Sequence, residues 1–214
     1  MVYTTVEVLN TFGVISRQQS IAFLGLSYPG LVDHTWLHQL ITAPLMHGSL
    51  LHLLFNILSL WMLGPQVERL LGLRRYVTFS VLCAFSSMLG FMLLNIKTGR
   101  IVIGYSGVIF GLLVAQAVYF PNSLINVFAF FTMRMKQAAV LMGAIELYLT
   151  ITGEGGGTAN AAHLFGGLAA FVYLRALRPR RKSSTGSVLD YGDGPIAGTQ
   201  SRRRRNRPRL PWDL

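Results

Sequence analysis

Charged residues are scarce in this chain, because only 13% of its 214 residues are Asp, Glu, Lys or Arg. Soluble domains carry about 25%, so the composition argues against an ordinary cytosolic enzyme and against a fully disordered chain. The single cysteine, Cys83, cannot form an internal disulfide, which excludes a disulfide-stapled secreted domain. Apolar side chains, in contrast, make up 52% of the sequence. This balance is typical of a protein whose solvent is a lipid bilayer.

The net charge of +11 is concentrated towards one end of the chain. From Arg175 onward there are eleven Lys and Arg against three Asp, interspersed with Pro, Gly and Ser. Such a segment has little apolar surface to bury and is typical of disorder. We therefore predict a membrane domain over residues 1–177 and a disordered basic cytoplasmic tail over residues 178–214. The arginine cluster at 202–209 favours contact with anionic lipid, and we expect no nucleic-acid partner.

Several apolar stretches have the length of membrane helices, about 17 to 25 residues with their flanks. Five of them cover residues 50–64, 76–96, 101–120, 137–153 and 158–174, and an abbreviated one at 2–16 precedes them. The predicted fold class is an all-α polytopic membrane protein with a bundle of six transmembrane helices, or five complete ones if residues 2–16 do not cross. Residues 17–48 are predicted to form a long loop at the membrane surface. Residues 124–133 are too short to cross and indicate an interfacial or re-entrant piece.

The distribution of basic residues predicts the orientation. Arg69, Arg74 and Arg75 follow the second predicted span, and Arg134 and Lys136 separate the fourth from the fifth. By the positive-inside bias, these loops and the tail lie in the cytoplasm. The second, fourth and sixth spans then run inward from the outer face.

Polar side chains near the outer ends of these three spans are candidate functional groups, since such residues are costly in lipid. His52 and Asn56 share one face of the second span, Ser106 opens the fourth, and His163 lies near the start of the sixth. They lie at similar depth, so Ser106 and His163 can be neighbours. Small residues spaced four apart favour a close contact between the fourth and sixth spans, at Gly107 with Gly111 and at Gly166 with Ala170.

A serine beside a histidine suits nucleophilic catalysis, because the imidazole can take the hydroxyl proton. No aspartate lies in any predicted span. We therefore expect a Ser106–His163 dyad in which packing orients the imidazole. Glu146, in the fifth span, is interpreted as a buried hydrogen-bonding or cavity-lining acid and receives no role.

The sequence resembles the rhomboid intramembrane serine proteases from about residue 23 to residue 174. Four elements in order carry the resemblance: His47-x4-His52-x3-Asn56, Gly64-x3-Glu68-x3-Gly72, Gly104-x-Ser106-Gly107 and Ala162-His163-x2-Gly166. One such element would be a weak signal, whereas four in order are highly specific. The chain departs from many relatives at His38-Gln39, where they have Trp-Arg, and at Ala170, where they have glycine.

The resemblance implies a role for each matched residue. Ser106 is implied as the nucleophile, His163 as its general base, and His52 and Asn56 as groups that stabilise the oxyanion. Phe110 falls where the family places an aromatic ring against the base. Gly104, Gly107 and Gly166 are supporting positions where the backbone can approach substrate or a neighbouring helix.

The implied function is an intramembrane serine endopeptidase that cuts single-span membrane proteins in or near their transmembrane segments. Its active site would open to the outer face of a bacterial inner membrane, and it would need no cofactor or metal. The alternative is a non-catalytic rhomboid-like protein that binds or escorts membrane proteins. Inactive relatives typically lack the serine or the histidine, and both are present here. A metal site built from the histidines is disfavoured, because no His-Glu-x-x-His occurs.

Overall fold

The computed structural model describes residues 16–127, 131–154 and 158–177. The predicted first span and the predicted tail therefore lie outside the described residues, apart from Ser16. The elements are α1 (Arg17–Leu24), β1 (Leu26–Ser27), a π-helical turn (Pro29–Asp33), α2 (Gln39–Thr42), a 3₁₀ turn (Ala43–Leu45), α3 (Leu50–Leu71), α4 (Leu73–Leu94), β2 (Ile101–Val102), α5 (Ser106–Tyr119), β3 (Leu124–Val127), β4 (Phe131–Arg134), α6 (Met135–Thr152) and α7 (Thr158–Leu177). The predicted all-α fold is confirmed, with two short two-stranded antiparallel sheets added to it.

Helix α5 is the centre of the bundle, since it contacts α3, α4, α6 and α7. The core around it is apolar and tightly closed: Val67, Phe79, Leu112 and Ala170 are all fully buried. Small side chains on α5 and α7 let these two helices approach closely. That approach sets the distance between the N-terminal ends of α5 and α7.

The outward faces of the helices are apolar as well. Trp61 is 73% exposed, Val140 73% and Ile151 76%, and many other large apolar side chains surround the bundle. Exposed apolar surface of this extent is what a bilayer would cover. Among the described residues, Leu50–Leu71 and Leu73–Leu94 are long and apolar enough to cross a membrane by length and composition, and Ser106–Tyr119 is a shorter apolar helix.

Helix α3 is longer than predicted, because it continues past Gly64 and through Pro65 to Leu71. A proline inside a helix removes one backbone donor, which usually ends or kinks the helix. In membrane bundles, side chains of neighbouring helices can satisfy the backbone groups near such a break. Here Gln116 Nε2 donates to the Leu63 carbonyl across a distance of 2.9 Å, which ties α3 to α5 beside the proline.

Helix α5 is shorter than the predicted span of residues 101–120. Its 14 residues give a length of about 21 Å, less than the hydrocarbon thickness of about 30 Å. The residues before it are extended, because Ile101–Val102 pair with Leu26–Ser27 and Gly104 has a positive φ of 114°. The first residue of α5 therefore lies recessed from the corresponding end of the bundle. Non-helical backbone at such depth is tolerated where protein surrounds it.

Most of segment 17–48, which was predicted to be a long loop, forms short helices and turns. Gln39 holds it together from a fully buried position: its Oε1 accepts from the Ser27 N–H, and its Nε2 donates to the carbonyls of Ala22 and Phe23. Leu124–Val127 and Phe131–Arg134 pair as the antiparallel strands β3 and β4.

Candidate active site

Ser106 is the first residue of α5, and its position exposes both its side chain and its backbone N–H to the site. The N–H groups of a helix's first turn have no acceptor within the helix, and the helix dipole places partial positive charge there. Gly104, two residues earlier, adopts a left-handed backbone that L side chains rarely reach. A Cβ at Gly104 would also lie 2.8 Å from His52 Cε1, so glycine is required there twice over.

His163 Nε2 lies 2.7 Å from Ser106 Oγ, a hydrogen bond between α7 and α5. This distance depends on the small residues predicted between the two helices. A Cβ on Gly166 would lie only 2.9 Å from the Gly107 carbonyl carbon, and a Cβ on Gly111 would lie 3.4 Å from that of Ala170. The helices thus meet backbone to backbone one turn from the serine–histidine pair. The expected juxtaposition of hydroxyl and imidazole is present.

The second nitrogen of His163 also has a partner. Its Nδ1 lies 2.9 Å from Glu146 Oε1 on α6, and the Glu146 side chain is only 12% exposed. Glu146 is thus a buried hydrogen-bonding acid, as interpreted from the sequence. Packing alone does not hold the imidazole, contrary to the expectation for a dyad, because a carboxylate contacts the ring on the side opposite Ser106.

Phe110 packs against His163, as the resemblance implies. The two rings are nearly parallel, with an interplanar angle of 17°, and their centroids are 6.4 Å apart. That separation is near the outer limit for an aromatic pair. Gly167 makes room for the ring, since a Cβ there would lie 2.7 Å from Phe110 Cδ1.

His52 faces Ser106 from α3. The Gly48 N–H points at His52 Nδ1 over 3.4 Å, which makes Nδ1 the acceptor and leaves the proton of the neutral ring on Nε2. The position that a Cβ would take on Gly104 is 3.0 Å from His52 Nε2 and 3.7 Å from Ser106 Oγ. His52 Nε2 and Ser106 Oγ therefore both lie close to Gly104.

Asn56 is placed differently from His52. Its Nδ2 donates to the His52 carbonyl of its own helix over 2.8 Å, and its Oδ1 is buried without a partner among the described residues. It lines a cavity of about 270 Å³ together with His47 and Tyr105, next to the one that contains Ser106. One amide hydrogen of Asn56 is therefore committed to the helix, and the other is available.

His47 supports His52 from the segment before α3. The two rings make an edge-to-face contact with centroids 5.0 Å apart, and His47 is buried. Burial and, secondarily, the nearby His52 ring lower the pKa of His47 below its ordinary value of 6.5, against a smaller opposing effect of the Leu45 carbonyl. His47 is thus neutral at physiological pH and supports His52 through the contact of the two rings.

A cavity of about 600 Å³ contains the serine, the histidine and the acid. Apolar side chains of α3, α5 and α6 form most of its wall, and its polar groups belong to Ser59, Ser106, Asn126, Glu146 and His163. A cavity of similar size, about 630 Å³, lies on the other side of the bundle, where Ser86 and Tyr173 are its only polar lining residues. The groups capable of acid–base chemistry are therefore in the cavity between α3 and α6.

The pairing of Glu146 with His163 was not predicted from the sequence, although helix geometry contains a signal for this pairing. Glu146 lies six residues before the end of α6, and His163 lies five residues after the start of α7. At 1.5 Å per residue, Glu146 is about 9 Å from the C-terminal end of α6, and His163 is about 8 Å from the N-terminal end of α7. An acid and a histidine at matched depth on consecutive helices are expected to pair.

The family model of the rhomboid domain matches residues 34–180 of this chain. Similar curated proteins include rhomboid-related protein 4 of Homo sapiens, 31% identical over 78% of this chain and 54% of its own length. Another is the putative rhomboid protease YdcA of Bacillus subtilis, 32% identical over 67% of this chain and 68% of its own length. A third, rhomboid-like protein 15 of Arabidopsis thaliana, is 26% identical over 69% of this chain and 38% of its own length.

The matches therefore span bacteria, plants and mammals, and the chain covers about half or less of the length of the human and plant relatives. The matched region contains every candidate site residue and the bundle from α2 to α7. The chain is an integral membrane protein, and it belongs to the rhomboid family.

Proposed function

We propose that this chain is an intramembrane serine endopeptidase that hydrolyses peptide bonds in or near transmembrane segments of membrane proteins. The observation that carries the proposal is the 2.7 Å contact of Ser106 Oγ with His163 Nε2 at a cavity within an apolar bundle. Protease-named relatives with a rhomboid domain support it. An escort protein would need neither a nucleophile nor a base in hydrogen-bonding contact.

The first half of the reaction forms an acyl-enzyme. Ser106 Oγ attacks the carbonyl carbon of the scissile peptide while His163 Nε2 takes the hydroxyl proton. The tetrahedral intermediate carries its negative charge on the former carbonyl oxygen. When it collapses, the C–N bond breaks and His163 returns the proton to the leaving amine nitrogen. The acyl group then remains as an ester on Ser106.

The second half restores the enzyme. A water molecule loses a proton to His163 Nε2 as its oxygen attacks the ester carbon. The second tetrahedral intermediate expels Ser106 Oγ, which regains the proton from His163, and the carboxylic acid product leaves. The polar end of the cavity supplies the space for that water, since Ser106 lies at the recessed end of α5.

Three donors are available for the oxyanion: the backbone N–H of Ser106, the Nε2–H of His52 and one amide hydrogen of Asn56. The first two are best placed, because His52 Nε2 faces the Gly104–Ser106 turn while Asn56 is partly engaged with its own helix. Donors fixed by the fold stabilise developing charge without reorganisation. Gly104 keeps a side chain out of the space between His52 and Ser106, whereas Gly107 lies against Ser87 of α4.

The proposal extends to substrates and orientation. The cavity between α3 and α6 is mostly apolar, which suits a single transmembrane segment entering from the lipid. The positive-inside bias supports a cytoplasmic location for the α3–α4 and β4–α6 connections, so that Ser106 lies nearer the outer face.

Cleavage of a model single-span substrate by the purified protein in detergent tests the proposal. Ser106→Ala and His163→Ala should each abolish cleavage, and the losses should not add in the double variant, since nucleophile and base act as a unit. Ser59→Ala is the matched control, because it removes one hydroxyl from the same cavity. Cleavage by Ser106→Ala at a rate comparable to the unmodified protein would show that the chain is not a serine protease of this kind. Substrate binding without cleavage by the unmodified protein would favour an escort.

A further inference from the structure

We propose that Glu146 is the positioning residue for His163, so that the site works as a Ser106–His163–Glu146 triad rather than a dyad. This inference rests on the proposed protease function. The Glu146 carboxylate contacts His163 Nδ1, on the side of the ring away from Ser106, and so acts through the imidazole.

The hydrogen bonds at His163 define which nitrogen carries the proton. An ionised carboxylate can only accept, so Glu146 Oε1 requires the proton of the neutral ring to be on Nδ1. Nε2 is then left with its lone pair towards Ser106 Oγ, 2.7 Å away. Only this tautomer can take the serine proton. In soluble serine proteases an aspartate has the same two effects, on tautomer and on ring orientation.

Packing against Phe110 cannot replace this contact. A flat ring beside another flat ring constrains the plane of the imidazole, at an interplanar angle of 17° here. It does not distinguish the imidazole from the same ring turned by 180° about its Cβ–Cγ bond. That rotation keeps the plane of the ring but puts Cε1 where Nε2 lies. The bond to Glu146 distinguishes the two orientations, because only one of them presents Nδ1 to the carboxylate.

The position of Glu146 is costly unless it has a function. Its side chain is 12% exposed in an apolar bundle, and Oε2 is buried with no hydrogen-bond partner among the described residues. An acid with one partner in such surroundings gains less from that contact than it loses by leaving water. A purely structural link between α6 and α7 would be better served by apolar packing. A carboxylate is instead suited to stabilise the imidazolium that forms each time His163 takes a proton.

The backbone of α6 holds this carboxylate in place. Helix α6 contacts both α5 and α7, and Thr150 Oγ1 donates to the Glu146 carbonyl over 2.7 Å, one turn further along α6. Glu146 therefore projects from a packed helix. A site held by such elements is more precise than one held by loops.

The rate at which a fluorophosphonate labels Ser106 tests the inference, because this reaction reports nucleophile activation without a protein substrate. It is measured with kcat and KM for the model substrate in Glu146→Ala, Glu146→Gln and Glu146→Asp. Glu146→Gln retains the volume of the side chain and is the variant to rely on if Glu146→Ala fails to fold. Glu154→Gln is the control, since it removes one acid from an exposed position after α6.

We expect Glu146→Ala and Glu146→Gln to lower the labelling rate and kcat by about 10²- to 10⁴-fold, with KM changed only a few-fold, as when the orienting aspartate of soluble proteases is replaced. Glu146→Asp should recover about tenfold or more over Glu146→Gln, because it restores the charge. Glu154→Gln should behave as the unmodified protein. Labelling of folded Glu146→Gln and Glu146→Ala within about threefold of the unmodified rate would overturn the triad and leave the proposed serine protease function intact. Absence of Ser106 labelling in the unmodified protein would overturn both.

Discussion

Gly166→Ala is the substitution whose effect follows most directly from the packing. The added Cβ would overlap the Gly107 carbonyl oxygen and lie 2.9 Å from its carbonyl carbon and 3.0 Å from its Cα. Carbon–carbon contacts are favourable at about 3.5 to 4.0 Å, so α7 must move away from α5 by about 0.5 to 1 Å. His163 lies three residues earlier on the same helix and would move with it.

A displacement of about 1 Å at a catalytic group can lower a rate about 10²-fold, and overpacking of this kind costs about 1 to 3 kcal/mol of stability. We expect both effects in Gly166→Ala, measured as the rate of fluorophosphonate labelling and as the shift in melting temperature in detergent. Gly143→Ala is the matched control: Gly143 is also helical, but a Cβ there meets nothing within 4 Å. It should label at the unmodified rate. Equal labelling of the Gly166 and Gly143 variants would refute the reasoning that α5–α7 contact sets the Ser106–His163 distance.

Three further outcomes are expected. His52→Ala should lower turnover by about 10²- to 10³-fold with little change in melting temperature, as for loss of one oxyanion donor. Asn56→Ala should lower both turnover and melting temperature, because Asn56 also donates to the His52 carbonyl. Normal turnover in a folded double variant would exclude the oxyanion role. Because the pKa of His47 is lowered in the folded protein, His47 takes up its proton at a higher pH in the unfolded chain than in the folded protein. Stability should thus be full above about pH 6.5 and decline as the pH falls below it, and a His47→Gln variant that declines as steeply would contradict this. Removing residues 182–214 should leave cleavage in detergent nearly unchanged and alter only lipid preference, so a truncated protein that has lost intrinsic activity would argue against a peripheral tail.

Helical periodicity and apolar length were sufficient to predict the bundle, because a membrane span needs a continuous run of apolar residues. The same signals misplaced the ends of α3 and α5. Pro65 indicates a helix end locally, but α3 continues through it and is tied to α5 nearby by the hydrogen bond of Gln116 with the Leu63 carbonyl. The short start of α5 depends on pairing of Ile101 with Ser27, a contact between residues more than seventy positions apart.

The candidate site was predictable in part for a related reason. Ser106 and His163 lie near the N-terminal ends of two helices that run in the same direction, so their depths could be compared directly. Glu146 lies on α6, which runs the opposite way, and its depth must be counted back from the far end of the helix. Which side of α6 faces α7 depends on packing in three dimensions. The orientation of Asn56 towards its own helix is likewise a choice among rotamers that sequence spacing does not determine.

The measurement that tests the central claim most directly is the mapping of a fluorophosphonate adduct by mass spectrometry on the purified, folded protein. The account predicts one adduct on Ser106, formed at an unchanged rate in Ser59→Ala and lost in His163→Ala. An adduct on another residue, no adduct at all, or full labelling of Ser106 in His163→Ala would contradict it.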